Sequence, residues 1–185
     1  MNKIKIVALF GPAGSGKDYL VKELMNGEYV NKNKVSEIIS QTTRPKRDGE
    51  KDGVNYHFKT ENDFLMDIFT NCLLEWTCFR DWYYGTNLNS LNKNKVNIGV
   101  FNVAGIQNLL KDERIEVYPI FIKASDKVRL IRQLSREKNP DVKEIFRRYE
   151  ADEKDFLNVN FSYQVIYNEG YDDAELELAN FVNSL

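Results

Sequence analysis

The strongest constraint on the fold is a near-continuous apolar run, Ile4 to Phe10, that passes directly into Gly11-Pro12-Ala13-Gly14-Ser15-Gly16-Lys17. A strand with no polar face must be covered on both sides, which is the condition of a parallel sheet held between helices. Beyond the glycines, Leu20, Val21 and Leu24 fall at helical spacing and Gly27 supplies a stop, so a helix is expected from Lys17 to Met25. Strand, glycine loop and helix in that order fit G-x-x-x-x-G-K. In that pattern backbone N–H groups wrap phosphate oxygens, the lysine reaches the β and γ oxygens of a nucleotide, and the helix N-terminus favours anions. Gly11 through Lys17 are therefore expected to bind ATP. The residue after the lysine is ordinarily Ser or Thr, whose hydroxyl ligates magnesium, whereas here it is Asp18. A carboxylate is a hard oxygen ligand, which makes Asp18 the candidate ligand for Mg2+; its alternative role is to favour the first helical turn electrostatically.

A length of 185 residues accommodates one domain carrying an inserted lobe. Regular alternation breaks between residues 36 and 90. There Ile38 and Ile39 lead into an arginine-rich loop, aromatics at Tyr56 and Phe58, a helical stretch near 61–70 and the run Leu73 to Phe79. Alternation resumes with a strand at 96–103, a helix at 104–111 and a strand at 115–122. Ser125 can cap a helix to about Glu137, and Asn139 with Pro140 offers a cap and first-turn proline for a helix to about Leu157. Residues 163–167 read as the last core strand and 172–185 as a closing helix. The expected division is a core of 1–35, 91–125 and 159–185, an acceptor-binding lobe of 36–90, and a lid with flanking helices of 126–158.

Charge and cysteine usage narrow the partners. With 26 Lys and Arg against 28 Asp and Glu there is no basic excess, so no nucleic-acid partner is expected and any anion site must come from local clustering. No stretch approaches the roughly 18 apolar residues of a membrane helix. Cys72 and Cys78 have neither a CxxC spacing nor a neighbouring histidine, so they are expected as reduced, small buried hydrophobes of a cytoplasmic protein.

Ser40 to Glu50, SQTTRPKRDGE, and its continuation Lys51 to Phe58, KDGVNYHF, gather cations and a phenol in one loop system. Arginine forks bind phosphate oxygens bidentately and a tyrosine hydroxyl adds a neutral donor, a combination suited to a phosphate monoester. These segments, with Leu74-Glu75-Trp76 and Tyr83-Tyr84-Gly85-Thr86, resemble the guanylate kinase family, and the similarity extends more loosely over nearly the whole chain. The resemblance implies an α/β fold of the P-loop NTPase type, a central parallel sheet flanked by helices, with an inserted NMP-binding lobe and a helical lid. It implies ATP- and Mg2+-dependent phosphorylation of a small phosphorylated acceptor, GMP or dGMP. By that resemblance Arg44, Arg47, Tyr56 and Tyr84 hold the acceptor phosphate, Ser40, Glu75 and Thr86 recognise guanine, and Asn168 lies near the donor adenine. Arg132 and Arg136, four apart on one helical face, and Arg148 on the next helix are assigned to the lid and to charge stabilisation, so the candidate catalytic residues are Lys17, Arg44, Arg132, Arg136 and Arg148. The chemistry of Glu75 agrees: guanine presents adjacent N–H donors that a carboxylate accepts as a pair, whereas adenine offers an acceptor at N1.

The chain departs from that family where a D-x-D pattern is usual, reading Val100-Phe101-Asn102. Both acids, which help organise the acceptor and magnesium-bound water, are missing. Asp18 and an asparagine near position 102 instead resemble a related branch, ribose 1,5-bisphosphate phosphokinase. That sugar phosphate is therefore the alternative acceptor, beside a broader set of (deoxy)nucleotides. A third expectation, a guanylate-kinase-like binding module without catalysis, is opposed by Lys17 and the lid arginines. His57 has no triad or metal constellation around it and reads as a structural strand residue.

Overall fold

The computed structural model of the chain describes residues 3–79, 81–136, 138–157, 159–170 and 173–185. The first half contains β1 (Ile4–Phe10), α1 (Lys17–Asn26), β2 (Val35–Glu37), β3 (Gln41–Thr42), β4 (His57–Phe58), α2 (Glu61–Phe69), β5 (Leu73–Phe79) and β6 (Trp82–Asn87). The second half contains β7 (Val96–Val100), α3 (Val103–Leu109), β8 (Ile115–Lys123), α4 (Asp126–Ser135), α5 (Val142–Phe156), β9 (Gln164–Tyr167) and α6 (Ala174–Asn183). Two sheets result, a five-stranded one ordered β2-β7-β1-β8-β9 and a four-stranded one ordered β4-β3-β6-β5.

Every pairing in the larger sheet is parallel, and β1 lies at its centre between β7 and β8. The absence of a polar face on β1 has a direct cause. Val7 and Leu9 pack with Leu20, Val21 and Leu24 of α1 and Leu178 and Val182 of α6. Ile6, Ala8 and Phe10, on the opposite face, pack with Ile106 and Leu109 of α3 and against Phe121, Phe156 and Phe161. The chain leaves β1 at the carboxyl edge of this sheet, where the strand order runs away in both directions and a crevice opens. The glycine loop sits there.

In the smaller sheet β5 and β6 form an antiparallel hairpin whose turn includes Asp81 at φ 65°, and β3 adds antiparallel to β6. Phe64 of α2 is fully buried beneath it, stacked on Tyr83 with ring centroids 5.4 Å apart. This covered face gives the sheet a core of its own.

Several boundaries differ from expectation. Ser36 and Glu37, expected in the inserted lobe, pair with β7 as part of the larger sheet. β7 ends at Val100 because the Asn102 side chain accepts the Gly105 N–H at 2.7 Å and starts α3 early. Asp141, and not Asn139, caps α5 by accepting the Glu144 N–H at 3.1 Å. Ser125 stands at the N-cap of α4, yet its hydroxyl donates to Glu169. Cys72 is half-buried and Cys78 exposed, so neither is a core residue; both are free. The expected helix limits at Glu137 and residue 172 lie outside the described residues. Among the described residues no helix is long and apolar enough to cross a membrane.

Candidate active site

The phosphate loop takes its shape from glycine. Gly14 and Gly16 have φ 81° and 92°, and a Cβ on Gly14 would stand 2.7 Å from the Arg129 backbone oxygen. Gly16 occupies the N-cap position of α1 and offers no side-chain acceptor, so the opening amides of this helix have neither an intrahelical partner nor a side-chain cap. A phosphate oxygen is the acceptor such amides lack. Lys17 folds back over the loop, donating to the carbonyls of Gly11 at 2.6 Å and Pro12 at 2.9 Å. Burial lowers its pKa, opposed by the nearby carboxylates of Asp18 and Asp152. Pro12 and Ser15 are buried beneath the loop.

Two elements close over this loop. Arg132 of α4 donates to the Gly14 and Ser15 carbonyls at 3.4 and 3.3 Å and to Asn168 Oδ1 at 3.3 Å. Asn168, just past β9, is buried and donates to the Ser15 carbonyl at 2.9 Å. It thus supports the loop from below.

On the lobe side Arg44 is 8 % exposed, donates from Nη2 to both Glu50 carboxylate oxygens at 2.9 Å and from Nη1 to the Pro45 carbonyl at 2.7 Å, and lies over the rings of Tyr56 and Phe58 at 5.4 and 5.7 Å. Burial tends to raise the Glu50 pKa, but the Arg47 amide and the Arg44 guanidinium outweigh it and hold it low. Partial burial and then the charges of Arg44, Arg148 and Arg136 lower the pKa of Arg47. Arginines from distant parts of the chain therefore bear on Arg47, with the Glu50 carboxylate opposing them, and an anion in the cleft would oppose them further. Burial, first, pushes the Tyr56 phenol above its ordinary range, so it is a neutral donor.

On the β5–β6 hairpin Glu75 is 7 % exposed and accepts the Thr86 hydroxyl on Oε1 at 2.8 Å. Burial raises its pKa to about 7 against the lowering effect of two Thr86 hydrogen bonds. Thr86 itself is fully buried and does not line the cleft; it orients Glu75. Asn102 donates to Thr77 Oγ1 at 2.8 Å while capping α3, so its amide is spent on holding β5 against α3.

Apart from the buried Thr86 and Ser15, these parts meet at one cleft of about 1440 Å³, lined by Lys17, Asp18, Ser40, Arg47, Glu75 and Arg136 among others. That exceeds the roughly 300–1,000 Å³ of a single small-molecule pocket and leaves room for two ligands. Arg147 is turned away, held by Glu144 at 2.5 and 2.6 Å, and the same carboxylate accepts from Arg148 at 2.9 Å. Glu37, not anticipated from sequence, lines the cleft too. Burial, first, and the Asp18 charge raise its pKa, with Lys22 opposing. Only its position in an edge strand could have signalled it. Among the described residues no group of three or more acids, histidines or cysteines forms a metal cage.

A phosphate loop at the carboxyl edge of a parallel sheet, facing a cationic lobe across one cleft, defines a P-loop phosphotransferase. The sequence profile described as guanylate kinase matches residues 3–185. The chain is 32% identical over 189 residues to a guanylate kinase of Mycoplasma genitalium, covering 99% of this chain and 77% of that one. It is 33% identical over 171 residues to a guanylate kinase of Helicobacter hepaticus, covering 90% and 84%. The crystal structure of guanylate kinase from Anaplasma phagocytophilum superposes with a TM-score of 0.70 at 20% identity, covering 99% of this chain and 87% of that one, and so shares the fold. The chain belongs to the guanylate kinase family.

Proposed function

We propose that the protein transfers the γ-phosphoryl group of ATP to GMP or dGMP, forming the nucleoside diphosphate and ADP. The observation that carries this reading is the convergence of the Lys17 loop, the Arg44–Arg47–Tyr56–Tyr84 cluster and Glu75, held from behind by Thr86, on one cleft. ATP supplies the phosphoryl group, and Mg2+ bound beside it neutralises charge on the phosphates. Lys17 and the open amides of α1 suit the donor phosphates, and Asp18, exposed in the cleft, is a hard oxygen donor for the metal. Arg47 and Arg44 bind the acceptor phosphate, which requires the Arg44 Nη2 to give up a bond to Glu50 for one to a phosphate oxygen. The Glu75 carboxylate, oriented by Thr86, accepts the paired N–H donors of guanine, with Ser40 beside it in the cleft. Arg132, Arg136 and Arg148 bear on the transferring group. An acceptor phosphate oxygen is already an anionic nucleophile, so positioning and electrostatics suffice without a general base.

Ribose 1,5-bisphosphate is the second reading, favoured by Asp18 and by Val100 and Asn102 in place of acids. A coupled ADP-release assay over ribo- and deoxynucleoside monophosphates and ribose 1,5-bisphosphate, with Glu75→Ala alongside, separates them. Preference for GMP or dGMP that collapses in Glu75→Ala is the expected result. Preference for the sugar bisphosphate, indifferent to that substitution, would overturn the acceptor assignment.

A further inference from the structure

The two peptide units that meet at Ala13 in the phosphate loop are held by side chains of two different helices. The Ala13 N–H donates to Asp152 Oδ2 of α5 at 2.8 Å, and the Ala13 carbonyl accepts from Arg129 Nε of α4 at 3.0 Å. Arg129 Nη2 closes the ring by donating to the same Asp152 oxygen at 2.9 Å. Gln133 Nε2 reaches the Ala13 carbonyl more weakly, at 3.5 Å. The remaining Arg129 nitrogen donates to Asp126 at 2.8 Å, and the guanidinium lies over the Tyr149 ring at 4.3 Å, while the Tyr149 hydroxyl donates to the Asp126 carbonyl at 3.0 Å. The two ionic side chains are only 9% and 15% exposed. Neither belongs to the phosphate-loop pattern, and neither is among the arginines that face the acceptor.

The ring ties three parts of the site into one frame. Asp152 lies one turn beyond Arg148 on α5, and Arg129 lies one turn before Arg132 on α4 and two turns before Arg136 at the C-cap of that helix. Fixing the backbone at Ala13 fixes the entry to the Gly14–Lys17 turn, and the same bonds set both arginine-bearing helices against that turn. Charge balance explains why the clamp is a pair. A carboxylate alone at the phosphate loop would repel a polyphosphate; Arg129 beside it cancels that field while keeping the oxygen that Ala13 needs. The opposing influences of these two residues on Lys17 reflect the same arrangement.

We propose that Arg129 and Asp152 are positioning residues for the donor phosphates: they lock the backbone on both sides of the Ala13 Cα and register α4 and α5 against the loop, without touching the reacting atoms. The proposal rests on the ATP-dependent reading above. It predicts an order that a merely structural ion pair would not produce. Arg129→Ala leaves an uncompensated carboxylate beside the phosphates and is the most damaging change. Asp152→Ala loses the N–H acceptor but leaves no repulsive charge. The double variant therefore binds donor better than Arg129→Ala alone, a coupling that a double-mutant cycle reads directly.

The test is calorimetric titration of the full chain with MgADP, together with KM for ATP and for the acceptor and a thermal melt of each variant. We expect MgADP affinity to fall about tenfold in Asp152→Ala, about 30-fold or more in Arg129→Ala, and about tenfold in the double variant, with acceptor KM within about twofold. Asp152→Asn retains an oxygen for Ala13 without the charge. It tests the clamp if an alanine variant unfolds, with a loss smaller than that of Asp152→Ala expected. Unchanged MgADP affinity in the folded variants, an equal rise in acceptor KM, or a double variant worse than Arg129→Ala would overturn the proposal. Wild-type protein that fails to bind MgADP would overturn the donor reading as well, whereas binding by wild type with indifferent variants would overturn the clamp alone.

Discussion

Replacing Glu75 with glutamine should make the protein more stable while impairing its use of acceptor, and the stability gain should depend on pH. The Glu75 carboxyl is buried, hydrogen-bonded to Thr86 and, among the described residues, in no salt bridge; its pKa rises from an ordinary 4.5 to about 7. Above pH 7 both native and unfolded chains carry the charge, and holding it in the folded protein costs about 3 kcal/mol. Between pH 4.5 and 7 the native state keeps a proton that the unfolded state has lost, so this group makes stability fall as pH rises. At pH 5 the same cost is below about 1 kcal/mol. Glu75→Gln preserves shape and an acceptor for the Thr86 hydroxyl but carries no charge. Its melting temperature should exceed wild type by roughly 6–12 °C at pH 8.5 and by at most about 4 °C at pH 5, at 2–4 °C per kcal/mol for a domain of this size. Acceptor kcat/KM should fall about 100-fold or more, because the amide presents a donor to a donor edge. In wild type, acceptor kcat/KM should rise with pH through about 7 as the carboxylate forms, a rise lost in the variant. Scanning calorimetry at the two pH values decides the matter. An equal increment at both, or destabilisation at pH 8.5, would refute the assignment of strain to a buried charge.

Other substitutions separate the two halves of the cleft. Arg47→Ala should raise acceptor KM about 10- to 100-fold while leaving MgADP affinity unchanged, read by steady-state kinetics and calorimetry. Asp18→Ser should shift the magnesium concentration for half-maximal activity; an identical magnesium titration would remove Asp18 as a metal ligand. Gly14→Ala must place a Cβ at φ 81° and 2.7 Å from the Arg129 oxygen, and should cost about 1–3 kcal/mol in a denaturant melt, with a disproportionate loss of MgADP binding.

Local pattern alone determined a good deal of this molecule. The strand Ile4–Phe10, the loop and α1 were legible because two-sided burial removes polar residues from a strand and because a phosphate turn needs glycine at fixed offsets. The cationic segment and the Glu75 strand were legible as resemblance, since their residues lie close together in the chain. Caps and edges were less so: Asp141 displaced Asn139 as the α5 cap, and the three-residue β2 is too short to show a period. What tertiary structure decided depends on pairs far apart in sequence. Thr86 stands opposite Glu75 because of how β5 pairs with β6, and the charges of Arg136 and Arg148 bear on Arg47 although they lie far along the chain. Ala13 and Asp152 are separated by 139 positions. No periodicity or motif links such residues; packing of the intervening elements brings a loop amide and a carboxylate within 2.8 Å of each other.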